Sequence, residues 1–254
     1  MRVVSLVPSV TETLRAWGVD PIACTRFCEQ PDLPTVGGTK NPDVPGIVDL
    51  VPDLVVVDEE ENRREDHDAL VTAGVPVLAL AVRALADVDR ELGRLAEAVG
   101  VEWTPPPPPP SATVSALRAV VPIWRRPWMV LGHPTYGASL LAALGVEVLP
   151  VDVGPYPEVE LGDLVGLRPH VVLVPSEPYA FKDEHLLELA SVAPPVRVDG
   201  QDLFWWGTRT PGAIARLAAV LQRMPSASRG VDRRDAEPID RHPEAGAQRR
   251  PKGE

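Results

Sequence analysis

Leu54-Val55-Val56-Val57-Asp58, introduced by Leu50-Val51-Pro52-Asp53 and followed by Glu59-Glu60-Glu61-Asn62, constrains the fold more than any other stretch. An unbroken apolar, β-branched run of this length suits a strand buried on both faces of a parallel sheet. Ligands of such sheets collect beyond the carboxyl ends of the strands, where the acids stand. The same design returns downstream, where Leu167-Arg168-Pro169-His170 leads into Val171-Val172-Leu173-Val174 and then Ser176-Glu177-Pro178. Two more echoes occur in the same order: Leu14-Arg15-Ala16-Trp17-Gly18-Val19-Asp20 with Leu141-Ala142-Ala143-Leu144-Gly145-Val146-Glu147, and Gly74-Val75-Pro76-Val77 with Pro194-Pro195-Val196. Together they predict two similar lobes.

Strand and helix patterns alternate, which predicts an α/β chain with mainly parallel sheets flanked by helices and a ligand cleft between the lobes. In the first half the pattern predicts a strand near the start, a helix from Ser9 to Trp17 closed by Gly18, and a short strand from Ile22 to Thr25. Ser9 and Glu12 read as a capping box at the start of that helix. Residues 26–45, rich in Pro and Gly, read as an irregular loop long enough to line a site. Further on, helices are expected at 47–51 and 63–73, a strand at 75–80, and a helix whose apolar positions run from Leu85 to Val99 and end at Gly100. In the second half, 119–124 reads as one strand, 136–144 as a helix, 146–149 as a strand, 204–210 as an aromatic loop and 211–224 as a closing helix. The expected boundaries are a lobe at 1–100, a proline-rich linker at 101–117, a second lobe at 118–224 and a disordered tail at 225–254. Within the linker, Pro105 to Pro110 predict a polyproline II rod of roughly 19 Å, and 112–117 a short helix.

The formal net charge of −11 lacks the basic footprint that binding to a phosphate backbone needs, so nucleic acid is excluded as a partner. No apolar run reaches the length of a membrane span, and the chain is expected to be a monomer. Met1-Arg2 passes straight into an expected strand, with no export signal ahead of it. The sequence as it stands is therefore expected in the cytoplasm, or in the periplasm or at the cell surface if the true start lies elsewhere.

Several groups can converge at the cleft. From the first lobe come Ser9, Glu12, Cys28 with Glu29, Lys40 with Asn41, and Glu60 and Asn62 of the acidic cluster. From the second come Trp124, Arg125, Trp128, Tyr136, Glu177, Tyr179, Phe181, Trp205, Trp206 and Arg209. Aromatic side chains in loops at strand ends suit stacking on a ligand. Plainer roles are open for many of these: a helix start for Glu59 to Glu61, a core position for Trp124, an exposed cation for Lys40. Cys24 and Cys28 read either as a soft-metal pair or as two ordinary thiols. His67, His133, His170, His185 and His242 show no ligand spacing, so the sequence sets no metal-ligand set. There is no nucleophile elbow, and Gly37-Gly38-Thr39-Lys40 is not a phosphate loop, so no catalytic residue and no cofactor are expected.

The opening Val3-Val4-Ser5-Leu6-Val7-Pro8-Ser9-Val10-Thr11-Glu12, the segment from Leu50 to Val55 and its counterpart from Leu167 to Val172 resemble periplasmic substrate-binding proteins of the cobalamin and siderophore type, the helical backbone metal receptor superfamily. The resemblance runs from about residue 2 to about residue 223. Arg26 to Pro31, Gly38 to Pro42, Glu60 to Asn62 and Pro122 to Met129 are similar to segments of one branch. The resemblance implies two α/β lobes closing on a metal chelate such as a corrinoid, a ferric siderophore or haem, with no catalysis. It also implies docking to a transporter permease through an acid on each lobe, by position Glu65 and Glu188. Relatives join their lobes by one long helix; here the proline run and at most two helical turns lie between Gly100 and Arg118. The alternative expectation is a cytoplasmic metal-handling protein or enzyme using Cys28 and the Glu59–Asn62 cluster.

Overall fold

The computed structural model describes residues 1–106 and 116–224. In the first lobe β1 (Val3–Ser5) leads through α1 (Pro8–Ala16) to β2 (Ala23–Cys24), a hairpin of β3 (Gly37–Gly38) and β4 (Asn41–Pro42), and α2 (Val44–Asp49). Then come β5 (Leu54–Asp58), α3 (Arg64–Thr72), β6 (Val77–Leu80), a 3-10 turn at Leu85–Asp87 and α4 (Val88–Val99). The second lobe has β7 (Leu117–Val120), a hairpin of β8 (Pro122–Trp124) and β9 (Met129–Val130), α5 (Tyr136–Ala143), β10 (Val146–Leu149) and α6 (Leu161–Gly166). It ends with β11 (Val171–Pro175), α7 (Asp183–Leu189), β12 (Pro195–Val198), α8 (Gly200–Phe204) and α9 (Thr210–Gln222).

The two sheets have the same topology. Each is parallel, in the orders β2-β1-β5-β6 and β10-β7-β11-β12, so the first strand of each lobe pairs with both the second and the third. The echoed segments coincide in detail. Gly18 and Gly145 both take the left-handed conformation, at φ 75° and 84°, that ends the preceding helix. Val51 and Arg168, each the residue before the proline that leads into a central strand, share the unusual φ values of 47° and 51°. For a β-branched valine this is a costly conformation, and its counterpart in the second lobe shows that it belongs to the motif.

Side-chain alternation along the strands assigns each sheet face to a core. On β5, Leu54 and Val56 enter the largest apolar cluster while Val55 and Val57 enter a cluster confined to the first lobe. On β11, Val171 and Leu173 enter that same largest cluster, and Val172 and Val174 a cluster confined to the second lobe. The inner faces of both sheets therefore share one core, filled by Val10 and Leu14 of α1, Leu92 and Leu95 of α4, Leu140 and Leu141 of α5 and Leu217 and Leu221 of α9. The lobes are fused through this core.

Some expected elements differ. Residues 26–45 contain the β3–β4 hairpin, because Gly37 at φ 89° permits the tight approach to Asn41 and Pro42 that a side chain would block. Asp43, not an apolar residue, starts α2 by accepting from the Gly46 N–H, so that helix begins earlier than 47. The single strand expected over 119–124 is divided between β7 in the sheet and β8 in a hairpin, with Val121 outside both. Leu117 opens β7 rather than ending a helix; the remainder of that expected helix, most of the proline rod and the expected tail lie outside the described residues. The short α8 occupies residues 200–204, so the expected aromatic loop begins one residue late, at Trp205. No helix among the described residues is long and apolar enough to cross a membrane.

Candidate functional site

Beyond β5 the chain turns back sharply. The Asp58 carboxylate accepts from the N–H groups of Glu60 (2.8 Å) and Glu61 (3.2 Å), and the Asn62 side-chain carbonyl accepts from the Asp58 N–H at 2.9 Å. Asn62 Nδ2 reaches on to the Leu6 and Thr39 carbonyls, so this asparagine is a buried brace between three segments and not a cleft group. The turn carries Glu60 and Glu61 on a shelf above the strand end. The second lobe repeats the exit: Glu59 N–H donates to the Leu80 carbonyl and Ser176 N–H to the Val198 carbonyl, which places Glu177 opposite the shelf.

Between these exits lies a cleft of about 430 Å³, within the usual range of small-molecule sites. Lys40, Glu60, Glu61 and Glu177 supply its charged groups, and Trp124, Tyr136, Tyr156, Phe204 and Trp205 its aromatic wall. Thr135 caps α5 by accepting from the Ala138 N–H, which sets Tyr136 at the cleft floor with its hydroxyl 3.1 Å from Thr210 Oγ1. Burial pushes the Tyr136 phenol up to about 12. Tyr156 donates to Glu60 Oε2 at 3.1 Å, a hydrogen bond from one lobe to the other. Lys40 Nζ donates to the Glu60 carbonyl, which fastens the β3–β4 hairpin to the shelf.

Desolvation raises the carboxyls of Glu60, Glu61 and Glu177 above the usual range. For Glu60 the Tyr156 hydrogen bond and the nearby Arg83 and Lys40 charges oppose this without cancelling it. Asp58, 2% exposed, is pushed up to about 7 because burial outweighs its two backbone hydrogen bonds, and its second carboxylate oxygen has no partner among the described residues.

Of the residues expected from the sequence, the structure brings together Lys40, Glu60, Trp124, Tyr136 and Trp205, with Glu177. The rest sit elsewhere for identifiable reasons. Ser9 is buried in the first turn of α1, which starts at Pro8 with Val7 as its cap, so the expected capping box does not form. Glu12 lies 3.6 Å from Arg209 across the lobes. Cys28 is buried with Thr11 and Thr25 hydroxyls each 3.2 Å from its sulfur. Its neighbour Cys24 has a thiol pushed up to about 12, first by burial and then by Cys28. No group of three or more His, Cys, Asp or Glu among the described residues is placed to hold a metal, so the alternative reading of a Cys28–acid metal site has no such group to rest on there.

Arg125 is bidentate on Glu188, at 2.6 and 3.1 Å, and is therefore satisfied away from the cleft. Trp128 stacks on Phe181 with ring centres 6.0 Å apart, and Tyr179 packs on Phe181 and edge-on to Trp124, so this aromatic group belongs to the outer core of the second lobe. Trp124, 46% exposed, is its link to the cleft. Trp205 has an extended backbone, so the neighbouring indoles diverge: Trp205 lines the cleft while Trp206 enters the shared core. Arg209 stands 5.3 Å from the Trp205 ring centre, outside the residues lining the cleft, and is held by Glu12, Gln201 and Asp202. Sequence reasoning missed Tyr156; its setting in Gly154-Pro155-Tyr156-Pro157, an aromatic between prolines in a loop, was the signal that could have found it.

Residues 3–103 match the family model described as periplasmic binding protein. No curated protein sequence matches the chain. Among solved structures, the periplasmic haem-binding protein from Roseiflexus sp. RS-1 in its apo form is similar with a TM-score of 0.73 and 20% identity, covering 89% of this chain and 98% of its own. The periplasmic vitamin B12-binding protein of Vibrio cholerae gives 0.71 and 16%, covering 87% and 96%. A periplasmic haem-binding protein from Pseudomonas aeruginosa gives 0.71 and 21%, covering 87% and 92%. The family model thus matches the first lobe, and the two-lobed fold of these binding proteins is shared over most of the chain.

Proposed function

We propose that the protein is the substrate-binding component of an ABC-type uptake system and holds a metal chelate of the corrinoid, siderophore or haem kind in the cleft between its lobes. The observation that carries this reading is the aromatic and acidic cleft between two lobes of matching topology. Structures of the same fold whose own ligands are vitamin B12 and haem support it. Titration of intrinsic tryptophan fluorescence with cobalamin, hemin and ferric siderophores tests it, since Trp124 and Trp205 line the cleft. At least one chelate is expected to quench saturably, and Trp205→Ala to weaken that ligand about tenfold or more, as removal of a stacking face predicts. Silence from every chelate discards the reading.

A permease contact belongs to the same proposal. Glu65 on α3 and Glu188 on α7 occupy equivalent helices, each following the third strand of its sheet. Each already has an arginine neighbour, Arg63 at 3.4 Å and Arg125 at 2.6 Å. Charge reversal at both is expected to abolish pull-down of the cognate permease; retention of the permease by Glu65→Lys/Glu188→Lys removes these acids from the docking surface.

A further inference from the structure

We infer that the cleft, taken as the ligand site proposed above, is built for a chelate whose rim carries amide or ammonium donors and no carboxylate arms. Three of the four charged groups lining it are carboxylates, Glu60, Glu61 and Glu177, contributed from both lobes. The one cation in that lining, Lys40, donates to the Glu60 backbone carbonyl and forms no ion pair with any of these three. Arg83, the next cation along the shelf, is paired to Glu59 at 3.0 Å, and Arg209 behind Trp205 is engaged with Glu12 and Asp202.

The acids are also short of donors. Glu60 accepts from Tyr156, while the Glu61 carboxylate makes no hydrogen bond or ion pair among the described residues and has the Lys40 charge as its one favourable influence, too weak to cancel its desolvation. Glu177 has the Trp205 side chain as its hydrogen-bonding neighbour and the negative Glu29 and Asp199 near it. Glu60 and Glu177 are half-buried and Glu61 is exposed at the cleft wall; a bound ligand covers all three, so one that supplies the missing donors gains, and one that brings a like charge against them loses.

The phenols do not offset this. Tyr136 is bonded to Thr210 and Tyr156 to Glu60, and no histidine among the described residues lines the cleft, so no free imidazole or phenol faces a bound metal there. Recognition is therefore by the ring face, against Trp124, Phe204 and Trp205, and by donors on the rim, against the three carboxylates. Selection between chelates follows the charge of their side arms.

The test uses one macrocycle in two charge forms, cobinamide with amide arms and cobyrinic acid with the corresponding carboxylates, together with hemin, whose two arms are propionates. Binding to the full-length protein is measured by tryptophan quenching at pH 7.5 and low salt, in wild type and in Glu60→Gln/Glu61→Gln/Glu177→Gln. The amide form is expected to bind wild type at least tenfold more tightly than the carboxylate form. In the triple variant, checked for an unchanged thermal melt, the ratio is expected to fall several-fold toward one, and in wild type it should shrink as salt is raised. If the triple variant melts early, Glu177→Gln alone replaces it, with a smaller fall expected. Equal or tighter binding of cobyrinic acid or hemin by wild type overturns the inference while leaving chelate binding intact. Absence of binding by every chelate, siderophores included, overturns the functional reading and this inference with it.

Discussion

Raising the pH from 5 to 7.5 is expected to destabilise the wild-type protein, and Asp58→Asn to remove most of that loss. The Asp58 carboxyl moves from its ordinary value of 3.8 to about 7 in the fold. Between those values the folded chain holds a proton that the unfolded chain releases, so the stabilising contribution is fully present below about pH 4 and is lost as pH rises through 7. A rise of that size corresponds to about 4 kcal/mol over the whole span, of which about 2.5 kcal/mol at most falls between pH 5 and 7.5, and relaxation around the charge brings the expected loss in that interval to roughly 1–2.5 kcal/mol. Burial is the dominant cause: one carboxylate oxygen accepts from the Glu60 and Glu61 N–H groups, and the other has no partner among the described residues.

The amide introduced by Asp58→Asn retains an acceptor for those two N–H groups and cannot ionise, so the variant separates the charge from the turn it organises. The raised Glu12, Glu60, Glu61 and Glu177 slope in the same direction and leave a residual dependence. Asp32, Asp87 and Glu188 are lowered by their arginine or backbone partners and act in the opposite sense, at more acid pH, outside the interval tested. Urea unfolding at intervals from pH 5 to 7.5 gives both curves. A wild-type stability that stays level or rises, or a variant that falls as steeply, would show that Asp58 titrates normally.

The fold was legible because its strongest signals are local and occur twice. Pro52 and Pro169 before uninterrupted apolar runs, with Gly18 and Gly145 after helices, name the strands and helix ends without reference to packing, and the common sheet order follows from their repetition. The shelf was legible for the same reason, since Glu60 follows a strand end. What the sequence hides is the direction of each side chain once partners compete for it. Arg125 and Arg209 look like ligand-binding cations in aromatic loops, yet each lies beside acids far away in the chain, Glu188 in one case and Glu12 in the other. Trp205 and Trp206 are identical neighbours, and only the extended backbone after α8 sends one to the cleft and the other to the core. The acidic cluster also concealed its own division of labour: Asp58 and Asn62 build the turn, and Glu60 and Glu61 face the cleft.

Asp202→Ala is expected to cost about 2–4 kcal/mol, which for a chain of this size corresponds to a fall in Tm of roughly 4–16 °C. Asp202 is 3% exposed at its side chain and sits on α8 against α9, where Arg216 meets it in a bidentate pair at 2.6 and 2.7 Å and Arg209 approaches to 3.6 Å. The two arginines respond differently to its loss. Arg216 is 55% exposed and can turn to water, so breaking its pair contributes little. Arg209 is 14% exposed, and its Nε already lacks a hydrogen bond; without Asp202 it is a buried cation left with Glu12 and Gln201. Because Gln201 also donates to Glu29 at 3.0 Å, the same residues tie the second lobe to the first, and the damage extends to the lobe contact. The comparison that isolates the cause is Asp202→Ala in an Arg209→Met background, which should recover at least half of the lost stability, whereas an Arg216→Met background should recover little. If Asp202→Ala melts within about 2 °C of wild type, or if Arg216→Met rescues it better than Arg209→Met, the buried arginine is not what Asp202 stabilises.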